Sequence, residues 1–147
     1  PQDIFLMDNN IYENIALTKD LGDLEKIYID KILKTVKLEK FLDNYELNLG
    51  DKASKISEGE KQRVGIARAI FKKSKFLVLD ETTSSLDINT EKEIMKSLKE
   101  QFKDITIITI AHRLSTIEDY DKILMMEEGK VVKIGKPREV IEFFTKK

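Results

Sequence analysis

At 147 residues the chain is about one domain's worth and long enough to bury a sizeable core. Charged residues make up 36% and apolar ones 41%, and 26 basic against 27 acidic side chains leave a net charge of -1, without the positive excess of a nucleic-acid binder. Cysteine is absent, which excludes disulfides and thiol chemistry, and stretches such as Ile105 to Ala111 fall far short of the roughly 20 apolar residues of a membrane-spanning helix.

Any membrane role would therefore fall to a partner. The chain opens at Pro1 with neither methionine nor a basic-then-apolar leader, which reads as a fragment. From Asn10 to Lys37 the apolar residues Ile11, Ile15 and Leu17, then Leu24, Ile27, Tyr28, Ile32 and Val36, recur at helical spacing, so this stretch is expected to be helical. Asn48-Leu49-Gly50-Asp51-Lys52 reads as a break. The next helix is predicted to start at Ser57, which has capping-box spacing to Glu60, and to run to about Lys73. Phe76 to Leu79 and Ile105 to Ile110 are short uninterrupted apolar runs, the pattern of strands buried on both faces. With a helix predicted over Ile88 to Phe102 between them, they form a βαβ unit, which implies a parallel sheet and a right-handed crossover. Glu127-Glu128-Gly129-Lys130 reads as a tight hairpin between Ile123 to Met126 and Val131 to Ile134, and Pro137 to Phe144 as a closing helix with proline near its first turn.

Three groups carry candidate chemistry. Asp80 and Glu81 directly follow an apolar strand, and ligands of open parallel sheets gather beyond the carboxyl ends of the strands. A carboxylate there suits magnesium, a hard ion that takes oxygen ligands, and a second is placed to accept a proton from an attacking water. Alone, the pair reads equally well as an acidic, solvated turn. Ser57 and Gly59 open a helix and offer a hydroxyl, unpaired N–H groups and a positive dipole end to a phosphate, although the same serine also serves as an ordinary cap. His112 is the only histidine; a lone histidine is more often a surface or core side chain than a catalytic one, and its place just past a strand's carboxyl end, beside the expected position of Asp80 and Glu81, raises it above that base rate.

Together, and in this order, the segments resemble the nucleotide-binding domain of an ATP-binding cassette transporter. Ile56-Ser57-Glu58-Gly59-Glu60 is similar to the family's signature motif, and Phe76 to Glu81 to its Walker B strand with the catalytic glutamate. Ser84-Ser85-Leu86-Asp87 resembles the D-loop, Thr109 to Thr116 the switch-histidine segment, and Pro1-Gln2-Asp3 with Ile4-Phe5-Leu6 the Q-loop. The wording around the histidine and the Q-loop, and Asn48-Leu49-Gly50-Asp51 before the signature, are most similar to exporter-type members. The family carries glycine where this chain has Glu58 and glutamine where it has Glu60, so extra negative charge is expected near a phosphate.

The resemblance implies an α/β fold, part of a P-loop NTPase (RecA-like) three-layer architecture with a helical signature subdomain. Residues 1–74 would form the Q-loop and helical subdomain, and 75–147 the C-terminal part of the ATPase core. It further implies an ATPase working on ATP and Mg2+ at the cytoplasmic face of a membrane. Glu81 would activate the water and His112 contact the γ-phosphate; Asp80 and Gln2 would hold the metal. Ser57 and Gly59 would grip a nucleotide bound to the opposite subunit, while Ser84 and Asp87 would cross the dimer interface. The implied partners are a second nucleotide-binding domain, identical or different, and a transmembrane domain, with no nucleic acid. No G-x-x-x-x-G-K-[ST] loop is present, so the chain by itself is expected not to hydrolyse ATP, and its sheet is expected to have a gap. Two rival readings are the head of a chromosome-maintenance or DNA-repair ATPase, whose signature Ser57-Glu58-Gly59-Glu60-Lys61 also resembles, and a non-hydrolysing regulatory module.

Overall fold

The computed structural model describes residues 4–49, 56–80, 87–110 and 117–146. They divide into two compact units, 1–109 and 110–147.

The first unit is mostly helical. α1 (Ile11–Ala16) is capped by Asn10, whose side chain accepts the Glu13 N–H at 2.9 Å. It ends where Leu17 turns left-handed at φ 60°, so the stretch expected to be helical from Asn10 to Lys37 is two helices with a break between them. α2 (Asp23–Thr35) restarts at Gly22, whose N–H donates to Glu25 Oε2 at 2.9 Å. A single 3-10 turn (Glu39–Phe41) follows, and α3 spans Glu58–Phe71. The predicted Ser57–Glu60 capping box is present in both directions, and α3 stops two residues short of Lys73, which itself has φ 54°. One face of each helix is buried: Ile11, Tyr12 and Ile15 of α1, Ile29, Ile32 and Leu33 of α2, and Val64, Ala67 and Ile70 of α3, whereas Leu24 and Ile27, in the first half of α2, are exposed. α3 packs on both α1 and α2. Removing a buried isoleucine such as Ile32 would cost about 2 to 5 kcal/mol in transfer and cavity terms.

β1 (Phe76–Asp80), α4 (Ile88–Gln101) and β2 (Thr106–Ile110) form the predicted βαβ unit, with β1 and β2 neighbours in a two-stranded sheet. The Thr106 N–H donates to the Lys75 carbonyl at 2.8 Å, joining the starts of the two strands, so they run parallel. The expectation that both strands are buried on both faces is corrected here. In β1, Leu77 and Leu79 are buried while Phe76 and Val78 are 66% and 59% exposed, and Ile108 and Ile110 of β2 are each 49% exposed. The alternation follows from a strand's period of two: one face of the sheet is covered by this chain and the other is not. Tyr28 of α2 lies 6.1 Å from Phe71 and 6.5 Å from Phe102, ring centre to ring centre, and so joins the carboxyl ends of α3 and α4.

The second unit holds β3 (Ile123–Glu127), β4 (Lys130–Gly135) and α5 (Pro137–Thr145). The antiparallel hairpin turns through Glu128 and Gly129, both with positive φ (48° and 74°), as the right-handed twist of a two-residue connection requires. A bulge falls between Met125 and Met126, and α5 packs on both strands with Pro137 in its first turn, where a missing N–H costs nothing. Among the described residues the strands form two separate two-stranded sheets.

Candidate functional site

Gln2, Glu81, Ser84 and His112 lie outside the described residues. Ser57, Gly59, Asp80 and Asp87 lie within them.

Ser57 and Gly59 stand at the start of α3, which the buried Ile56 precedes and Val64, Ile66, Ala67 and Ile70 anchor to the helical core. Ser57 Oγ accepts the Glu60 N–H at 3.3 Å, and Glu60 Oε2 accepts the Ser57 N–H at 2.8 Å. Ser57 is exposed, Gly59 half-buried, and the cap leaves the amides of Glu58 and Gly59 at the helix mouth, where N–H groups and the helix dipole favour an anion. The serine is thus an exposed residue whose hydroxyl caps the helix.

The two added carboxylates are accounted for. Glu58 is exposed and pairs with Lys61 at 3.3 Å. Glu60 is turned onto the body of the unit, 2.5 Å from Lys40 Nζ and 3.9 Å from Arg63 Nη2. Burial pushes its carboxyl up, but hydrogen bonds from Lys40 and Ser57 and the charge of Lys40 outweigh that and hold it below the usual carboxylate range. Arg63 in turn donates to the carbonyls of Lys37 at 2.8 Å and Gly59 at 3.3 Å. Neither Lys40 nor Arg63 belongs to the residues singled out from the sequence. Lys40 is separated from Glu60 by a break that carries no periodic signal.

Asp80 is the last residue of β1, and its carboxylate is exposed. Because β1 and β2 are parallel, Asp80 and Ile110 leave the sheet at the same edge, the carboxyl edge at which such sheets bind ligands. Asp87 caps α4: its Oδ1 accepts the Thr90 N–H at 2.9 Å, and bonds from Thr90 lower its pKa. This cap is a structural duty that its D-loop wording did not announce. Among the described residues there is no cluster of three or more metal-ligating side chains. A magnesium ion held by one carboxylate, waters and phosphate oxygens requires no such cluster, and the exposed Asp80 is an oxygen donor of the kind that ion takes.

Residues 7–10 are fixed by Asn14 of α1, which is fully buried. Its Oδ1 accepts the Met7 N–H at 2.8 Å, and its Nδ2 donates to the carbonyls of Met7, Asn9 and Asn10. Arg68 of α3 donates to the Asn14 carbonyl at 2.8 Å, so α1, α3 and residues 7–10 form one hydrogen-bonded unit. A pocket of 310 Å³ opens beside it, lined by Ile4, Phe5, Leu6, Met7, Asp8 and Lys61. Among the described residues no helix is long and apolar enough to cross a membrane.

The chain is 36% identical over 146 residues to an ATP-dependent lipid A-core flippase of Ralstonia nicotianae, covering 96% of this chain and 25% of that protein. It is 42% identical over 146 residues to the mitochondrial iron-sulfur clusters transporter ABCB7 of Oryzias latipes, covering 97% and 19%. A solved bacterial Atm1-family ABC exporter with ATP bound superposes with a TM-score of 0.80 at 35% identity, over 97% of this chain and 26% of that one. The chain therefore spans about a quarter or less of the proteins it matches. The sequence model described as ABC transporter matches residues 1–84, more than half of the chain, and on that match the chain belongs to the ABC transporter family.

Proposed function

We propose that this chain is the signature-bearing part of the ATPase of an exporter, acting at the cytoplasmic face of a membrane. Closure of two nucleotide-binding domains around ATP would drive the attached transmembrane domain. The observation that carries the reading is the open, doubly capped start of α3 at Ser57 and Gly59, in a chain that superposes on an ATP-bound exporter over 97% of its length.

In this reading residues 1–74 form the Q-loop and signature subdomain, and 75–147 belong to the ATPase core. Asp80 and Gln2 hold Mg2+, which neutralises charge on the phosphates, while Glu81 takes the proton of the attacking water. His112 contacts the γ-phosphate. Ser57 and Gly59 direct their hydroxyl and amide at the γ-phosphate of the nucleotide on the opposite subunit, and Ser84 and Asp87 cross between subunits. Gln2 senses the nucleotide and faces the transmembrane partner. Because no phosphate-binding loop occurs in residues 1–147, the lysine and most N–H donors of the triphosphate site come from elsewhere, and the chain alone does not turn over ATP. The relatives are transporters, which disfavours the DNA-repair alternative.

The test is Mg2+-dependent ATP hydrolysis by the full-length protein. Glu81→Gln should lower turnover by about 10²- to 10⁴-fold while ATP still binds. A Glu81→Gln protein that hydrolyses ATP at the wild-type rate would overturn the assignment.

A further inference from the structure

Glu60 presents a problem that the surrounding structure answers. A carboxylate one turn into α3 stands close to the mouth proposed to receive a phosphate, and like charges repel strongly where water is excluded. Its side chain is only 13% exposed and is held at three points: Lys40 Nζ at 2.5 Å, Arg63 Nη2 at 3.9 Å and the Ser57 N–H at 2.8 Å. Arg63 is already committed to the carbonyls of Lys37 and Gly59, and its distance from Glu60 is the longer one. Among the described residues Lys40 is therefore the principal counter-charge. Its backbone is fixed because the next residue, Phe41, is 2% exposed in the core and the 3-10 turn closes through the Phe41 N–H to the Leu38 carbonyl at 3.1 Å. Among the described residues two other lysines of this region are paired elsewhere: Lys37 with Glu93 at 3.0 Å and Lys61 with Glu58 at 3.3 Å.

We infer that Lys40 is a positioning residue for the nucleotide site. Its ammonium draws Glu60 onto the side of the helical unit, keeps the carboxylate on the Ser57 N–H and balances its charge, so that the α3 mouth stays ordered and open to an anion. Lys40 itself need not touch the nucleotide. The inference rests on the proposed phosphate-gripping role of Ser57 and Gly59.

Its test uses the full-length protein in the Glu81→Gln background, so that binding is read without turnover. Two quantities are measured: equilibrium binding of a trinitrophenyl-ATP probe with Mg2+, and amide hydrogen exchange of residues 56–61 without nucleotide. Lys40→Met should weaken probe binding about fivefold and speed exchange at the start of α3, while Lys40→Arg stays within about twofold of the parent. Adding Glu60→Gln to Lys40→Met should restore the binding of Glu60→Gln alone, because no charge is left to balance. Equal weakening in Lys40→Met and the double variant, or parental binding and exchange in Lys40→Met, would overturn the inference. Should Lys40→Met fail to fold, Glu60→Gln decides: binding at least as tight as the parent supports the inference, and binding weakened about fivefold overturns it. A parent protein that binds no probe would sink the functional reading itself, an outcome distinct from a bound probe that ignores Lys40.

Discussion

The buried amide of Asn14 grips Met7 from both sides, accepting its N–H at 2.8 Å and donating to its carbonyl at 3.0 Å. The segment 7–10 is thereby tied to α1 by side-chain bonds rather than by a sheet. Asn14→Leu keeps the size of the side chain and strands several backbone groups, each costing about 1 to 3 kcal/mol when left unsatisfied. The expected loss is about 3 kcal/mol in urea unfolding. A change below about 0.5 kcal/mol would show that these bonds are replaced by water.

Gly65 of α3 leaves room for Ile4, since a Cβ at residue 65 would stand 2.7 Å from Ile4 Cδ1 and 3.2 Å from Cγ1. Gly65→Ala should gain about 1 kcal/mol of helix propensity and lose about 1 to 3 kcal/mol to overpacking, a net loss. Ile4→Val removes the crowding methyl, so Gly65→Ala should be less destabilising, or stabilising, in that background. A double-mutant cycle in melting experiments with no coupling between the two sites would contradict the packing described.

Glu60 has a folded pKa below its ordinary value, because its bonds to Lys40 and Ser57 outweigh the cost of its burial. Its stabilising contribution is therefore present above the ordinary glutamate range and is lost as pH falls through the lowered folded value. The stability difference between wild type and Glu60→Gln should be constant near neutrality and shrink on acidification below about pH 5. A difference that grows with acidification would reverse the sign assigned to Glu60.

Local patterns wrote most of the elements into the sequence. Ser57 with Glu60 marked the start of α3, Gly129 the hairpin, and Pro137 the start of α5, since each acts through its own backbone or through a partner three residues away. The break at Leu17 left no comparable mark, because a leucine in the left-handed region is held there by its surroundings rather than by preference. The uncovered face of β1 and β2 was misread for a related reason: Phe76, Val78, Ile108 and Ile110 are apolar, yet they stay exposed among the described residues. At the site, Ser57, Gly59, Asp80 and Asp87 could be picked out by motif, whereas Lys40 and Arg63 matter only through their distance from Glu60. No spacing rule links residues brought together across a loop.

The central claim is that Asp80, His112 and the Ser57 end of α3 meet at the terminal phosphate of ATP when two subunits close. A cryo-EM map of the full-length Glu81→Gln protein with Mg2+ and ATP tests it most directly. The account predicts a γ-phosphate within direct or water-bridged reach of Asp80 and His112 of one subunit, capped by Ser57 and Gly59 of the other. Nucleotide bound with Ser57 facing solvent, or with Asp80 and His112 on opposite sides of an intact sheet, would contradict it.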